Sequence, residues 1–600
     1  MNSVKTFCSH TFKAYFCFII LFILGGCSSG VNMLPTLSEK NMPKENQGVV
    51  VVRVVNASAY PLPFNQVTIT PKNLNESKKI KPSRLRALPV ATTGSTIFSS
   101  PVTSGSYSLD SIRSFHIQGE FWYSRWAPAD AQFGTFDVEA GKVTDLGTII
   151  YYPKPEKDKY LNTILRQPSA ETANVLANYF SFYPITDEQV LTWTEDEYQE
   201  ERDALYVSIA QNPVTFNTKY LAPDNTIYFI GKLGVILKRT ADKEWHLDAV
   251  DTDLDLSTIY KNELGNLIVG GDEGAVFFKS SDDEWHNIST DKSHHVEEVY
   301  FNGKGDIEII TREETKVHIL AKPFADLNAP WATLATYSST GEWRDADGEK
   351  QTISAPDEKK KSTKTKKRKR PKRIVSATTN RGEQVNTITI KQQSMSQNIA
   401  FGSGDVENFA FNPKTWEVSN YESDTDISKT FDAGVVKLGV EFAGFWSLTG
   451  KPTYYKKDIN TSSWNKIVTS IKSCKKDYKL SGKICVSPDK KTKVKVKNES
   501  FSFTSVPWFT SNTDGTAIVS FSDYNFWSGK RSNEIKIVKT NDGGKTWQKT
   551  GFELPNKFCT SLISEVKDSM LLSCKGVSAD FYESVDQGET WQQVREHENF

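Results

Sequence analysis

The stretch NTIYFIGKLGVILKRTADKEW (225–245) returns 40 residues later as GNLIVGGDEGAVFFKSSDDEW (265–285). The register holds throughout: Ile227 with Leu267, Gly231 with Gly271, Gly234 with Gly274, Asp242 with Asp282 and Trp245 with Trp285. Near the C-terminus TNDGGKTW (540–547) and SVDQGETW (584–591) recur at an offset of 44. Weaker endings stand at STGEW (339–343), NPKTW (412–416) and DINTSSW (458–464). The closing tryptophans Trp245, Trp285, Trp343, Trp416, Trp464, Trp547 and Trp591 count out seven units over residues 211–600. Each unit combines short β-rich segments, a glycine turn and a tryptophan. Repeats of about 40 residues with four strands each are the signature of a β-propeller. This predicts a seven-bladed propeller. DALYVSIA (203–210) is a candidate strand for closing the ring with the last unit.

The two C-terminal endings fit S/T-x-D-x-G-x-T-W and resemble the Asp-box, or BNR, motif of sialidases, sortilin-type receptors and photosystem assembly factors. Asp542 and Asp586 sit where a carboxylate can accept backbone N–H bonds in a tight turn. Gly544 and Gly588 permit positive φ, and Trp547 and Trp591 are expected between strands. In that family the box is a structural hairpin away from the catalytic face, so the resemblance implies scaffold. A sialidase would also need an arginine triad, a Tyr-Glu nucleophile pair and an Asp acid. The first unit offers only Arg239, directly before its degenerate box. PKRIV (371–375) holds Arg-Ile inside a basic run and lacks the proline. No catalytic residue and no cofactor is assigned. His294, His295, Glu297 and Glu298 suggest a metal, but adjacent strand residues point to opposite faces. They read as a solvated connecting loop, with no metal site. Trp245-His246 and Trp285-His286 recur with the repeat and read as architecture.

The N-terminus carries Lys5 and Lys13, the uncharged run Ala14 to Leu24, and then Gly25-Gly26-Cys27. These are the parts of a secretory signal. The run has 11 residues, against the roughly 20 that a spanning helix needs. Leu24-Gly25-Gly26-Cys27 resembles the lipobox of bacterial lipoproteins. That implies a signal peptide over 1–26 and a lipidated Cys27. Ser28, in place of the Asp that favours inner-membrane retention, points to the outer membrane.

Export gives the cysteines a context. Cys8 and Cys17 leave with the leader, and Cys474, Cys485, Cys559 and Cys574 remain besides Cys27. An even number in an oxidising compartment reads as disulfides. Sequence allows three connectivities. The local pairs Cys474–Cys485 and Cys559–Cys574 are preferred because each falls within one repeat. Charge is concentrated as well: residues 359–373 hold 11 Lys or Arg and no acid. The rest of the mature chain has 60 basic against 73 acidic residues, a net of −13. A run of like charges without apolar residues is expected to be disordered, over 357–373. Lys366, Lys367, Arg368, Lys369 and Arg370 are its candidate contacts for anionic lipid or lipopolysaccharide. Nucleic acid is not an expected partner of an exported chain.

Between leader and repeats, residues 27–46 are polar and read as a tether. VVVVRVV (49–55), QVTIT (66–70), FHIQGEFWY (115–123) and GTFDVEAGKVTDLGTIIYY (134–152) read as strands. They predict a β-sandwich over 47–152, similar to transthyretin-like modules. SAETANVLANYF (169–180) and DEQVLTWTEDEYQEERDALYVSIA (187–210) have helical spacing, which predicts a helical connector over 153–210. The expectation is an all-β, membrane-anchored envelope lipoprotein. Its propeller would be a non-enzymatic platform for binding or assembling another envelope protein. The alternative is a sialidase-like glycosidase or a glycan-binding surface module.

Overall fold

The valine run at 49–55 becomes the strand Gln47–Asn56, buried along nearly its whole length. In the computed structural model, residues 31–595 are described apart from segments 59–63, 73–80, 89–94, 129–134, 168–178, 193–199, 352–370, 394–404 and 442–451 and shorter stretches. Gln47–Asn56 lies inside a sheet, antiparallel to Ser95–Thr103 and parallel to Val143–Glu156. Val50, Val52 and Val54 face a second sheet and share a core with Val67, Ile69, Leu85, Leu109 and Ile112. That sheet is built from Gln66–Pro71, Ser83–Arg86, Gly105–Gln118 and Phe121–Pro128. Val49, Val51 and Val55 point the other way and are also covered. Burial on both faces explains why the strand reads as continuous valine rather than as an alternation.

Two expectations for this N-terminal part need correction. Residues 31–46 are not a free tether. Asn32–Met33 pairs with Ser83 and Arg84. Leu37 is buried, and its N–H donates to Ser99 O at 2.9 Å. Leu34 and Leu37 are apolar enough to bind the segment to the body. The helical connector is also replaced in part by strands. Lys159–Gln167 pairs antiparallel with Val143–Glu156, and Val190–Thr192 pairs with it in parallel. An open edge of backbone donors and acceptors beside Val143–Glu156 is satisfied by recruiting these segments. Helical conformation occurs at scattered residues from 200 to 209, so DALYVSIA supplies no closing strand among the described residues. Most of 169–180 lies outside them.

The remainder is a propeller. Among the described residues, seven antiparallel sheets of four or five strands follow in chain order, built mostly as meanders of neighbouring strands. The first runs from Phe216–Leu221 to Trp245–Ala249, and the second from Leu256–Lys261 to His286–Asn287. The third spans His295–Phe301 to Glu342–Asp345 and carries a fifth strand. Three more begin at Arg373–Arg381, Lys429–Asp432 and Ser502–Phe503, and the seventh spans Ser561–Val566 to Gln592–Arg595. Small sheets within 470–500 interrupt the series between the fifth and sixth. Each closing tryptophan stands at or beside the start of its sheet's outermost strand.

Neighbouring sheets meet along their first strands or, at the fifth and sixth sheets, along the strands next to them. Thr218 Oγ1 donates to Ser257 O at 2.6 Å, and Ser257 Oγ donates to Val296 O at 2.9 Å. Thr379 N donates to Glu298 at 2.8 Å, and Lys437 Nζ donates to Asn380 at 3.1 Å. Val435 N donates to Phe509 O at 3.0 Å, joining the fifth sheet to the sixth. Thr504 Oγ1 then reaches Thr560 O at 2.9 Å. Lys219 Nζ donates to Ile563 O at 2.9 Å and brings the last sheet to the first. Five of the first strands also share a bulge near the second residue, between Phe216 and Thr218, Leu256 and Thr258, Val296 and Glu298, Ile374 and Ser376, and Leu562 and Ser564. A bulge sharpens local twist. Its recurrence marks the repeat in units whose sequence has drifted.

The ring joint is made by side chains. The described strands of the first sheet come from 216–249 and those of the last from 561–595. Phe581 is fully buried there, with ring centroids 4.8 Å from Phe229 and 4.7 Å from Trp245. Arg239 pairs with Glu583 across the joint at 2.9 Å, and Lys243 reaches the same carboxylate at 2.9 Å. Burial works against ionisation of Glu583. Hydrogen bonds from Ser569 and Lys243 and the charge of Arg239 outweigh it and hold the carboxyl below its ordinary range.

Candidate functional site

In each sheet the turn between strands two and three lies at the same end as the start of strand one. Lys232 and Asp272 occupy equivalent turns in the first two sheets, with Leu233 and Glu273 at positive φ beside them. Several buried charges gather at this end of the ring. Lys232 pairs with Asp255 at the entry to the second sheet. Asp272 pairs with His295 at the entry to the third, at 2.7 Å. Glu314 pairs with Arg373 at the entry to the fourth, at 3.0 Å. Three successive joints thus carry a paired polar contact at this end, with the basic member on the turn at the first joint and the acidic member on the turn at the next two.

The N-terminal sheets rest on this face. Arg53 is the one charge in the valine run, and its side chain projects with Val49, Val51 and Val55. It pairs with Glu273 at 2.7 Å and approaches Asp253 at 3.8 Å. Burial pushes the Glu273 carboxyl up, against the pull of Arg53. Ser95 donates through N and Oγ to Asp272, each at 3.4 Å. Val55, Ala57, Ile150 and Tyr152 pack with Ile209 and Leu233 beside these pairs.

His294 and His295 overturn the solvated-loop reading, since both are buried. Opposite orientation holds, and it gives each ring its own partners. His295 turns to Asp272. His294 stacks on His318, with centroids 4.8 Å apart and planes 12° from parallel. His318 Nε2 lies 2.8 Å from Glu313, and the Nδ1 atoms of His294 and His318 lie 3.3 and 3.2 Å from the hydroxyls of Thr311 and Thr336. The hydrogen bond to His318 holds the Glu313 carboxyl well down, at about 2. Sequence reasoning missed Glu313 and His318 because they lie 19 and 24 residues beyond His294, joined to it only by the hairpin. Glu297 pairs with Arg312. Glu298 is pushed up to about 7 by burial, and hydrogen bonds from Thr379 only partly offset this.

A second buried cluster surrounds Arg381. Its guanidinium lies 3.3 Å from the Tyr300 ring centroid and within 6 Å of Phe411 and Trp416. Glu308 accepts from Arg381 at 3.3 Å and from Trp416 Nε1 at 2.8 Å.

The two Ser/Thr-x-Asp-x-Gly-x-Thr-Trp turns lie at the opposite end of the ring. Asp542 accepts from Thr546 N at 2.9 Å and from Thr540 Oγ1 at 2.8 Å, while Gly544 N donates to Thr540 at 2.9 Å. Asp586 repeats this with Ser584 and Thr590, and Gly588 N donates to Ser584 at 2.7 Å. Gly544 and Gly588 have φ of 86° and 97°. Trp547 is buried, whereas Trp591 is only half-buried and donates to Glu553 O at 3.0 Å. Cys474 is bonded to Cys485, and Cys559 to Cys574. Cys27 and Lys366, Lys367, Arg368, Lys369 and Arg370 lie outside the described residues. The basic insertion expected over 357–373 ends earlier than that. Lys372 pairs with Asp405, and Arg373 opens the first strand of the fourth sheet. Acidic partners neutralise these last two charges, which lets the strand begin there.

No protein-family model matches the chain, and no curated protein does. Among solved structures it is similar to YCF48 bound to D1 peptide, at 12% identity, covering 62% of this chain and 94% of that one, with a TM-score of 0.34. It is similar to the Dos1 propeller at 10% identity, covering 62% and 93%, with a TM-score of 0.32. It is also similar to the β-propeller domain of the trilobed protease from Pyrococcus furiosus, at 6% identity, covering 64% and 96%, with a TM-score of 0.30.

Proposed function

We propose that the chain is an envelope lipoprotein whose seven-bladed Asp-box propeller is a non-enzymatic platform for a protein partner. In this reading Cys27 is lipidated, in the outer membrane, and residues 47–152 form a β-sandwich seated on one propeller face. The observation that carries the reading is the commitment of four buried or half-buried arginines of the ring. Arg239, Arg312, Arg373 and Arg381 each face a carboxylate of the ring: Glu583, Glu297, Glu314 and Glu308. An arginine already neutralised in this way is a poor receptor for a substrate carboxylate, which disfavours the sialidase-like alternative. The sandwich covers the face of the strand-two turns. The other face presents Leu264 and Val585, 79% and 68% exposed, on turns available to a partner.

The test is photo-crosslinking from intact cells, with a photoreactive residue at Leu264 or Val585 and, as control, at Glu139, exposed on the N-terminal sheets. A discrete adduct from the first two positions, absent from the third and from a Cys27→Ser chain, supports an anchored platform. Turnover of a sialoside or other glycoside by the purified chain overturns it. So does mass spectrometry that finds Cys27 free of lipid.

A further inference from the structure

We propose that His294, Glu313 and His318 form a binding site for a first-row divalent metal of the zinc type. One ligand atom from each residue lies within 4.8 Å of the others. Two imidazoles and one carboxylate make a donor set suited to Zn2+, with positions left for water or a further ligand. The surroundings are built for orientation. Thr311 and Thr336 hold the Nδ1 atoms of the two rings. This selects Nε2 as the metal-facing nitrogen, the arrangement that outer partners impose on metal-ligating histidines. Thr311 is fully buried and cannot swing away.

Zinc–nitrogen bonds of about 2.0–2.1 Å set ligand atoms about 3.4 Å apart in a tetrahedron. Small side-chain rotations bring the trio to that spacing. Glu313 exchanges its hydrogen bond from His318 for the metal, and the neutral His318 ring carries its one proton on Nδ1, donating to Thr336. Lys316, 3.5 Å from Glu313 and half exposed, turns outward.

The three residues sit at three levels of one sheet. His294 precedes the first strand, Glu313 follows the second and His318 lies in the third. A bound ion therefore cross-links the sheet at its upper end. The effect continues along the chain: the next residue, His295, binds Asp272, which accepts from Ser95 of the N-terminal sheets. Metal binding should tighten the seat of those sheets on the ring.

The experiment uses the full chain without a histidine tag, stripped with chelator and dialysed. Zn2+ is titrated by calorimetry, and Co2+ by visible absorption. The expected result is one equivalent of Zn2+ at micromolar affinity or tighter, a Co2+ d–d band displaced by Zn2+, and a higher Tm. Glu313→Gln keeps an acceptor for His318 but loses the anionic ligand, and should weaken binding at least tenfold. His294→Ala should do the same, and His246→Ala, on an exposed strand, should not. A folded chain that takes up no Zn2+ at 100 µM overturns the proposal (roughly 100 times a micromolar dissociation constant). Equal uptake by wild type, Glu313→Gln and His294→Ala also overturns it.

Discussion

Phe581→Ala tests whether the first and last sheets pack together in solution. Phe581 is fully buried, and three rings surround it, those of Phe216, Phe229 and Trp245, all from the first sheet. Its own strand, Phe581–Ser584, belongs to the last sheet. Truncation removes the buried ring and leaves a cavity, a loss of about 3–5 kcal/mol. Aromatic pairs at these separations contribute about 0.5–1.5 kcal/mol each beyond area. A double-mutant cycle with Phe229→Ala should therefore give a coupling of about 1 kcal/mol. A cycle with Phe278→Ala, buried between the second and third sheets, should be additive within about 0.5 kcal/mol. Equilibrium urea unfolding followed by tryptophan fluorescence measures all of these, since Trp245 is a reporter at the joint. If Phe581→Ala and Phe229→Ala add without coupling, the first and last sheets do not pack together in solution, and the closure argument is wrong.

Three further outcomes follow from particular contacts. Arg53→Met should cost about 3–5 kcal/mol, because it strands Glu273 and Asp253 without their cation; limited proteolysis should then separate the N-terminal sheets from the ring faster than in wild type. Glu298 has a folded pKa of about 7, raised above its unfolded value of about 4.3. Its favourable contribution is complete below pH 4.3 and is lost as pH rises through 7, so Tm should fall across that window less in Glu298→Gln than in wild type. An equal fall in both would remove Glu298 as the cause. Cys559→Ser with Cys574→Ser opens a loop of sequence separation 15 and should cost about 3 kcal/mol in the chain-entropy model; an unchanged urea midpoint would contradict this.

The propeller was legible because the first two units kept their glycine turn and tryptophan in register. Gly234 and Gly274 both take positive φ, a conformation that penalises most replacements. The valine run was legible for a related reason: burial on two faces leaves little freedom of residue type. Ser95–Thr103 was not read as a strand because its sequence, STIFSSPVT, carries serines and a proline that serve turns as readily. The fifth strand of the third sheet, Glu342–Asp345, was hidden because the tryptophan spacing counts units and not strands. Arg53 was a usable signal left unused. A charge within a run of buried valines needs a partner, although its partner lies 220 residues away.

The joints between the first four sheets show how sequence can change from unit to unit while the architecture persists. Apolar contacts fill the space between neighbouring sheets, but at the turn end a charged residue meets the entry of the next first strand. There the requirement is complementarity of two charges, with no preference for which side is positive. Lys232 with Asp255, Asp272 with His295 and Glu314 with Arg373 satisfy it in three different ways. A comparison of one repeat with the next sees lysine, aspartate and glutamate at that end and registers disagreement. The physical constraint acts on the pair, and the members of each pair come from different units. It is invisible to any alignment of units and becomes visible only when the ring places one unit's turn against the next unit's entry.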